Sequence, residues 1–240
     1  MKILAIGNSF SQDATAYLEA VAKSAGEDLF VRNLYIGGCS LETHAKNAQS
    51  EEAAYAYEKD GERLESISLP DALTREAWDF ITVQQVSGWS GVYDSYLPHL
   101  STLLSFVRER CPNAKLLFHR TWAYEKDAEI ERFVLRYEGS ERVMHEAILT
   151  VTDRISKAFS LPVIPVGEAI HEAKHHPDFD VRAGGISLHR DGYHLTRDYG
   201  RYLAALVWLK FFTGATPDRV TFAPEGTDPA LIELLKSFVE

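Results

Sequence analysis

A serine near one end of the chain and an aspartate–histidine pair near the other are the residues whose types could do chemistry together. The apolar run Ile3-Leu4-Ala5-Ile6 stops at Gly7-Asn8-Ser9-Phe10, and Asp191-Gly192-Tyr193-His194 stands far downstream. A hydroxyl is a weak nucleophile until an imidazole accepts its proton, and a carboxylate behind the imidazole fixes its tautomer and stabilises the imidazolium. The spacing of Asp191 and His194 lets the carboxylate reach Nδ1 and leaves Nε2 for Ser9. A Ser-His-Asp triad is therefore expected, provided that the fold brings the chain ends together. Taken singly, each block also has an ordinary reading. Ser9 or Ser11 would cap the helix that follows, and Asp191 and His194 would be a helix cap and a surface histidine.

Such a nucleophile needs donors for the oxyanion it creates. Ser9 is placed at the start of a helix beginning near residue 13, where backbone N–H groups lack partners and the dipole is positive. Gly37-Gly38 follows a second apolar run, and a glycine lets its N–H come close to a ligand. Gln84-Gln85 ends a third run and offers a side-chain amide. One of the two is expected to serve as a side-chain donor, and a slip of one residue exchanges which of them faces the site.

These blocks have to be positioned by strands and helices. Short apolar segments over 2–7, 29–36, 79–85, 114–119 and 162–166 predict strands buried on both faces. Helical spacing is expected over 13–25, 41–59, 97–110, 127–159 and 196–213, with a last helix from Leu231 to Val239. The alternation predicts an α/β fold, a three-layer doubly wound parallel sheet, in one domain over 1–240. In such sheets ligands bind beyond the carboxyl ends of the strands, where Ser9, Gly37-Gly38 and Gln84-Gln85 are expected. Residues 172–192 lack periodicity and lead into Asp191, as functional loops of this length do.

Composition excludes several classes. The chain has 240 residues, 25 basic and 35 acidic, for a net charge of −10, which argues against nucleic acid or an anionic membrane as partner. Cys39 and Cys111 are read as free thiols. No run of about 18 apolar residues is present, and the residues after Met1 do not form a signal peptide, so a cytoplasmic location is expected. His171, His175 and His176 have a spacing that invites a metal, but only the first pair fits one helical face and Pro177 follows. No metal site is assigned.

Together the blocks resemble the SGNH hydrolase superfamily, the GDSL-like esterases. Gly7-Asn8-Ser9-Phe10 looks like the serine block, Gly38 like the glycine block, and Asp191-Gly192-Tyr193-His194 matches the Asp-x-x-His block without a gap. The resemblance spans residues 2 to about 213. It departs at the third block, where Val83-Gln84-Gln85-Val86 replaces the usual Gly-x-Asn-Asp, as in some acetylesterase branches.

The resemblance implies a flavodoxin-like fold and a serine esterase with no cofactor. Ser9, Asp191 and His194 would be catalytic, and Ser9, Gly38 and Gln85 would form the oxyanion hole. The leading substrate is a small acyl ester, an acetyl group on a carbohydrate. Tyr35, Trp89, Tyr93, Trp122 and Tyr124 follow expected strands and could stack on sugar rings, and His44 could add a polar contact. We assign Trp89, Trp122 and His44 to substrate binding. The alternatives are a lipid acyl ester or thioester hydrolase, and a non-catalytic carbohydrate-binding protein on the same scaffold. A phosphate-binding flavodoxin-like domain fits less well, since the loop after the first strand has one glycine. The sequence leaves the oligomeric state open.

Overall fold

Alternate residues of the first strand, β1 (Lys2–Gly7), enter two different cores. Ile3 and Ala5 pack on one side of the sheet, and Leu4 and Ile6 on the other. A strand covered on both faces has no polar side to show, which is why its sequence is continuously apolar. The computed structural model describes residues 1–126 and 128–239.

Six further strands complete one sheet: β2 (Phe30–Tyr35), β3 (Tyr55–Lys59), β4 (Glu62–Ile67), β5 (Phe80–Val83), β6 (Lys115–His119) and β7 (Val163–Ile164). The order is β4-β3-β2-β1-β5-β6-β7. Strands β2, β1, β5, β6 and β7 are parallel neighbours, the flavodoxin-like order. The connection leaves β1 toward β2 on one side and returns to β5 on the other. A crevice therefore opens beyond the ends of β1 and β5, which is where Ser9 emerges.

The helices form layers on both faces. They are α1 (Ser9–Thr15), α2 (Leu18–Ser24), α3 (Leu41–Asn47), α4 (Leu69–Thr74), α5 (His99–Arg110), α6 (Glu131–Tyr137), α7 (Glu141–Phe159), α8 (Val166–Ala173), α9 (Tyr199–Thr213) and α10 (Pro229–Ser237). Helix α9 is buried along most of its length between α1, α2, α8 and α10. No helix among the described residues is long and apolar enough to cross a membrane.

Three expected elements are corrected. The helix expected over 41–59 ends at Asn47, and an antiparallel hairpin of β3 and β4 follows. Its signal was Asp60-Gly61: both residues have positive φ (53° and 78°), as a tight hairpin turn requires. The alternation of buried Tyr55 and Tyr57 also marks a strand. The charged face of β4 is an edge that discourages pairing with another chain. The helix expected over 127–159 is two helices, broken where Glu138 adopts a left-handed conformation (φ 57°), and residue 127 itself lies outside the described residues. The helix expected from 13 starts at Ser9 and is likewise two helices, α1 and α2.

Candidate active site

Asn8 decides how Ser9 is presented. Its Oδ1 accepts the N–H of Phe10 at 3.0 Å and so caps α1. The same oxygen accepts Gln84 Nε2 at 2.8 Å, and Asn8 Nδ2 donates to the carbonyl of Cys39 at 3.0 Å. One buried side chain thus fixes the helix start to the turn that carries Gly38. Behind it, Gln84 Oε1 is hydrogen-bonded to His119 Nδ1 at 2.8 Å. Burial pushes His119 down to about 3, so it stays neutral and holds Gln84 without adding charge.

Across the crevice, Asp191-Gly192-Tyr193-His194 forms a tight turn. Gly192 has φ 86°, which lets the chain reverse. Asp191 Oδ1 accepts the backbone N–H of His194 at 2.9 Å and that of Tyr193 at 3.4 Å, and Oδ2 lies 2.7 Å from His194 Nδ1. Partial burial alone would raise the Asp191 carboxyl. The hydrogen bonds from His194, side chain and backbone, outweigh burial and hold it below the ordinary carboxylate range. With Nδ1–H directed at the carboxylate, Nε2 is free to accept, and Ser9 Oγ lies 2.7 Å from it. The structure therefore brings Ser9, His194 and Asp191 into one hydrogen-bonded line across 185 residues.

This line opens on a cleft of about 550 Å³ lined by Ser9, Gly37, Gly38, Trp89, Tyr193 and His194, among others. The backbone N–H groups of Ser9 and Gly38 have no hydrogen-bond partner among the described residues. Gly38 has φ 62° and open space where a Cβ would stand, so backbone conformation rather than crowding calls for glycine there. Behind His194, Phe10 stacks on Trp122 with centroids 4.3 Å apart, and Trp122 Nε1 donates to the carbonyl of Tyr193 at 2.8 Å.

Several expected site residues lie elsewhere. Gln85 does not join Ser9: its Nε2 donates to the carbonyl and hydroxyl of Ser95, at 2.8 and 3.1 Å, and its Oε1 accepts from Leu41 and Val86 N–H. Both polar atoms of that amide are engaged, Nε2 by Ser95 and Oε1 by the backbone, so its amide is not directed at Ser9. Gln84 faces the crevice side but acts through Asn8 from beneath it. Trp122 is fully buried and belongs to the floor, not to the substrate surface. His44 is also fully buried, hydrogen-bonded to Tyr55 Oη at 2.9 Å, and burial pushes it down to about 3. Trp89 does line the cleft, as does Tyr35. Tyr124 is buried, and Tyr93 is covered by Arg154, whose guanidinium lies 3.6 Å from the ring centroid.

The histidine group on α7 and α8 has its own arrangement. His171, His175 and Glu141 bring ligand-type atoms within 4.8 Å of one another. Glu141 already engages His171 Nδ1 at 2.7 Å and stands 3.4 Å from the Lys174 ammonium, which balances its charge. His176 faces Asp178 instead, at 3.5 Å.

Sequence comparison places the whole chain. Residues 2–236 match the model of a domain of unknown function, DUF4886. The chain belongs to the DUF4886 family. Its fold is close to that of a DUF4886 protein from Bacteroides uniformis, with 37% identity, a TM-score of 0.90, and coverage of 100% of this chain and 93% of that one. At lower identity the same fold recurs in a protein from Slackia heliotrinireducens described as a candidate SGNH hydrolase, with 21% identity, a TM-score of 0.60, and 88% and 97% of the two chains covered. It recurs again in an acetylxylan esterase from Geobacillus stearothermophilus, with 13% identity, a TM-score of 0.54, and 87% and 92% covered. No curated protein matches the chain. This DUF4886 protein thus has the α/β fold of the SGNH hydrolases.

Proposed function

We propose that the protein is a serine esterase that removes a small acyl group, acetyl in the first instance, from a carbohydrate. The observation that carries this reading is the continuous Ser9–His194–Asp191 hydrogen-bond line, 2.7 Å at each link, opening on a cleft. His194 Nε2 takes the Ser9 proton as Oγ attacks the ester carbonyl. Asp191 keeps the tautomer and stabilises the imidazolium. The unpartnered N–H groups of Ser9 and Gly38 receive the oxyanion. His194 then returns the proton to the leaving alcohol, and water releases the acyl group by the reverse sequence. The aromatic walls of the cleft, Trp89 and Tyr35, suit a sugar ring, and the acetylxylan esterase of like fold supports the same class.

Hydrolysis of p-nitrophenyl acetate and p-nitrophenyl octanoate by wild type and Ser9→Ala tests the proposal. Acetate turnover that disappears in the variant is the expected result, and preference for octanoate would move the substrate to lipid esters. A folded wild type that hydrolyses neither and takes no fluorophosphonate label at Ser9 would overturn the esterase reading in favour of a binding protein.

A further inference from the structure

The wall of the cleft beside Tyr193 carries a cation that pairs with no carboxylate among the described residues. Arg132, on α6, reaches the cleft by crossing Gly88. A Cβ on Gly88 would stand 2.7 Å from Arg132 Cδ and 3.1 Å from Nε, so the glycine is what leaves the arginine its path. Arg132 Nε donates to Tyr124 Oη at 2.8 Å, and the guanidinium carbon lies 5.6 Å and 5.3 Å from the ring centroids of Tyr124 and Tyr193. Tyr193 in turn packs against the ring of His194 at 4.0 Å. The guanidinium is thus held within two ring contacts of the base of the proposed triad.

Its partners are tyrosines. Among the described residues Arg132 makes no ion pair, whereas Arg32, Arg75, Arg120, Arg190 and Arg201 all do. One turn further along α6, Arg136 lies over the ring of Trp89 at 3.6 Å and also makes no ion pair among the described residues. Among the described residues the cleft lining contains no Asp or Glu. In a chain with 35 acidic and 25 basic groups, a cleft whose described lining holds an arginine and no carboxylate suits an anion.

We propose that the carbohydrate this cleft accepts carries a carboxylate, and that Arg132 binds it, with Arg136 adding charge at the rim. This rests on the esterase reading for the reaction but not for the binding. An acetyl group has no ionisable atom, so the anion belongs to the sugar. A planar fork already oriented by Tyr124 pairs with a carboxylate through two parallel hydrogen bonds. One such fork matches the two oxygens of a single carboxylate.

The test compares O-acetylated methyl galacturonide with O-acetylated methyl galactoside, which differ in having a carboxylate or a hydroxymethyl group at one carbon. The readout is the ratio of the two kcat/KM values within each variant, which cancels any general loss of activity. Wild type is expected to favour the acid by about tenfold or more, mostly through KM, and the preference should shrink with added salt. Arg132→Gln should bring the ratio to near one, and Arg132→Lys should keep part of it. A wild-type ratio near one, unchanged in Arg132→Gln, would overturn the carboxylate site while leaving the esterase standing. Titration of Ser9→Ala with galacturonate and galactose, followed by tryptophan fluorescence, separates the other failure. Preferential galacturonate binding that depends on Arg132, without turnover by wild type, would keep the site and remove the esterase. Neither turnover nor preferential binding would remove both.

Discussion

The carboxylate of Asp13 accepts the backbone N–H of Leu195 at 2.9 Å, which ties α1 to the residue directly after His194. The same carboxylate accepts Arg190 Nη1 at 3.0 and 3.1 Å and Arg201 Nε at 2.8 Å. Arg190 precedes Asp191, so Asp13 grips the turn at both ends, one helical turn after Ser9. The distance between Ser9 and His194 is therefore set largely by a residue that touches neither.

Asp13→Asn should be damaging for that reason. It keeps the shape but leaves two arginines facing a neutral amide at a fully buried position. Breaking a buried pair in this way costs about 3–5 kcal/mol. Urea denaturation should show the loss, and residual folded protein should have a lower kcat. Wild-type stability with full activity would show that Asp13 is not the clamp.

Asp191→Asn addresses the orientation of His194. An amide can present N–H to Nδ1 and so favour the wrong tautomer. The expected result is a fall in kcat of roughly 10²–10⁴ with little change in KM, the lower part of that range reflecting the partial exposure of Asp191. A loss confined to KM would place Asp191 in substrate binding instead.

Stability should fall as pH drops below about 6.5. Burial pushes His44 and His119 down to about 3, and His145 and His189 to about 4. Their folded values lie below the unfolded one, so the stabilisation is complete above the unfolded pKa and is lost as pH falls toward the folded values. Each contributes a slope of up to about 1.4 kcal/mol per pH unit in that window. Glu58 opposes them. Burial raises it to about 7, ahead of the lowering hydrogen bonds from Asn33 and Gln12, so its contribution is complete below the unfolded pKa and lost as pH rises through about 7. Thermal melts between pH 4.5 and 6.5 should therefore show a positive slope that becomes steeper in Glu58→Gln. An unchanged slope in that variant would contradict the raised Glu58.

Gly88→Ala reaches Arg132 without touching it chemically. The added Cβ would collide with Arg132 Cδ, a flexible stem that can swing away, and Gly88 is not in the left-handed region. Stability should change by less than about 1 kcal/mol, while the preference for an acidic sugar drops as it does in Arg132→Gln. Retained preference would mean that the guanidinium does not need its path across Gly88.

The sequence by itself determined the polar blocks of the candidate site and the strands that lead into most of them. Short, β-branched apolar runs with no polar face fit strands buried on both sides, and a polar block at the end of such a run is placed on the rim by the architecture. Ser9 and Gly38 were legible on that basis, Asp191 and His194 by their spacing in the loop before the last long helix, and their convergence was an expectation of the fold. The hairpin after α3 was missed although Asp60-Gly61 signalled it, because the helical spacing before it was extended too far.

Tertiary structure alone decided the rest. Gln84 and Gln85 are chemically identical neighbours on opposite faces of the chain, one bonded to Asn8 and the other to Ser95. Only packing could say which faces the crevice, and it also showed that neither supplies an amide directly to the cleft. The burial of His44 and Trp122, the path of Arg132 across Gly88 and the grip of Asp13 on Leu195 join residues far apart in the chain. Local composition and periodicity report neighbours along the chain, whereas these contacts arise only when sheet order and helix packing fix distances across it.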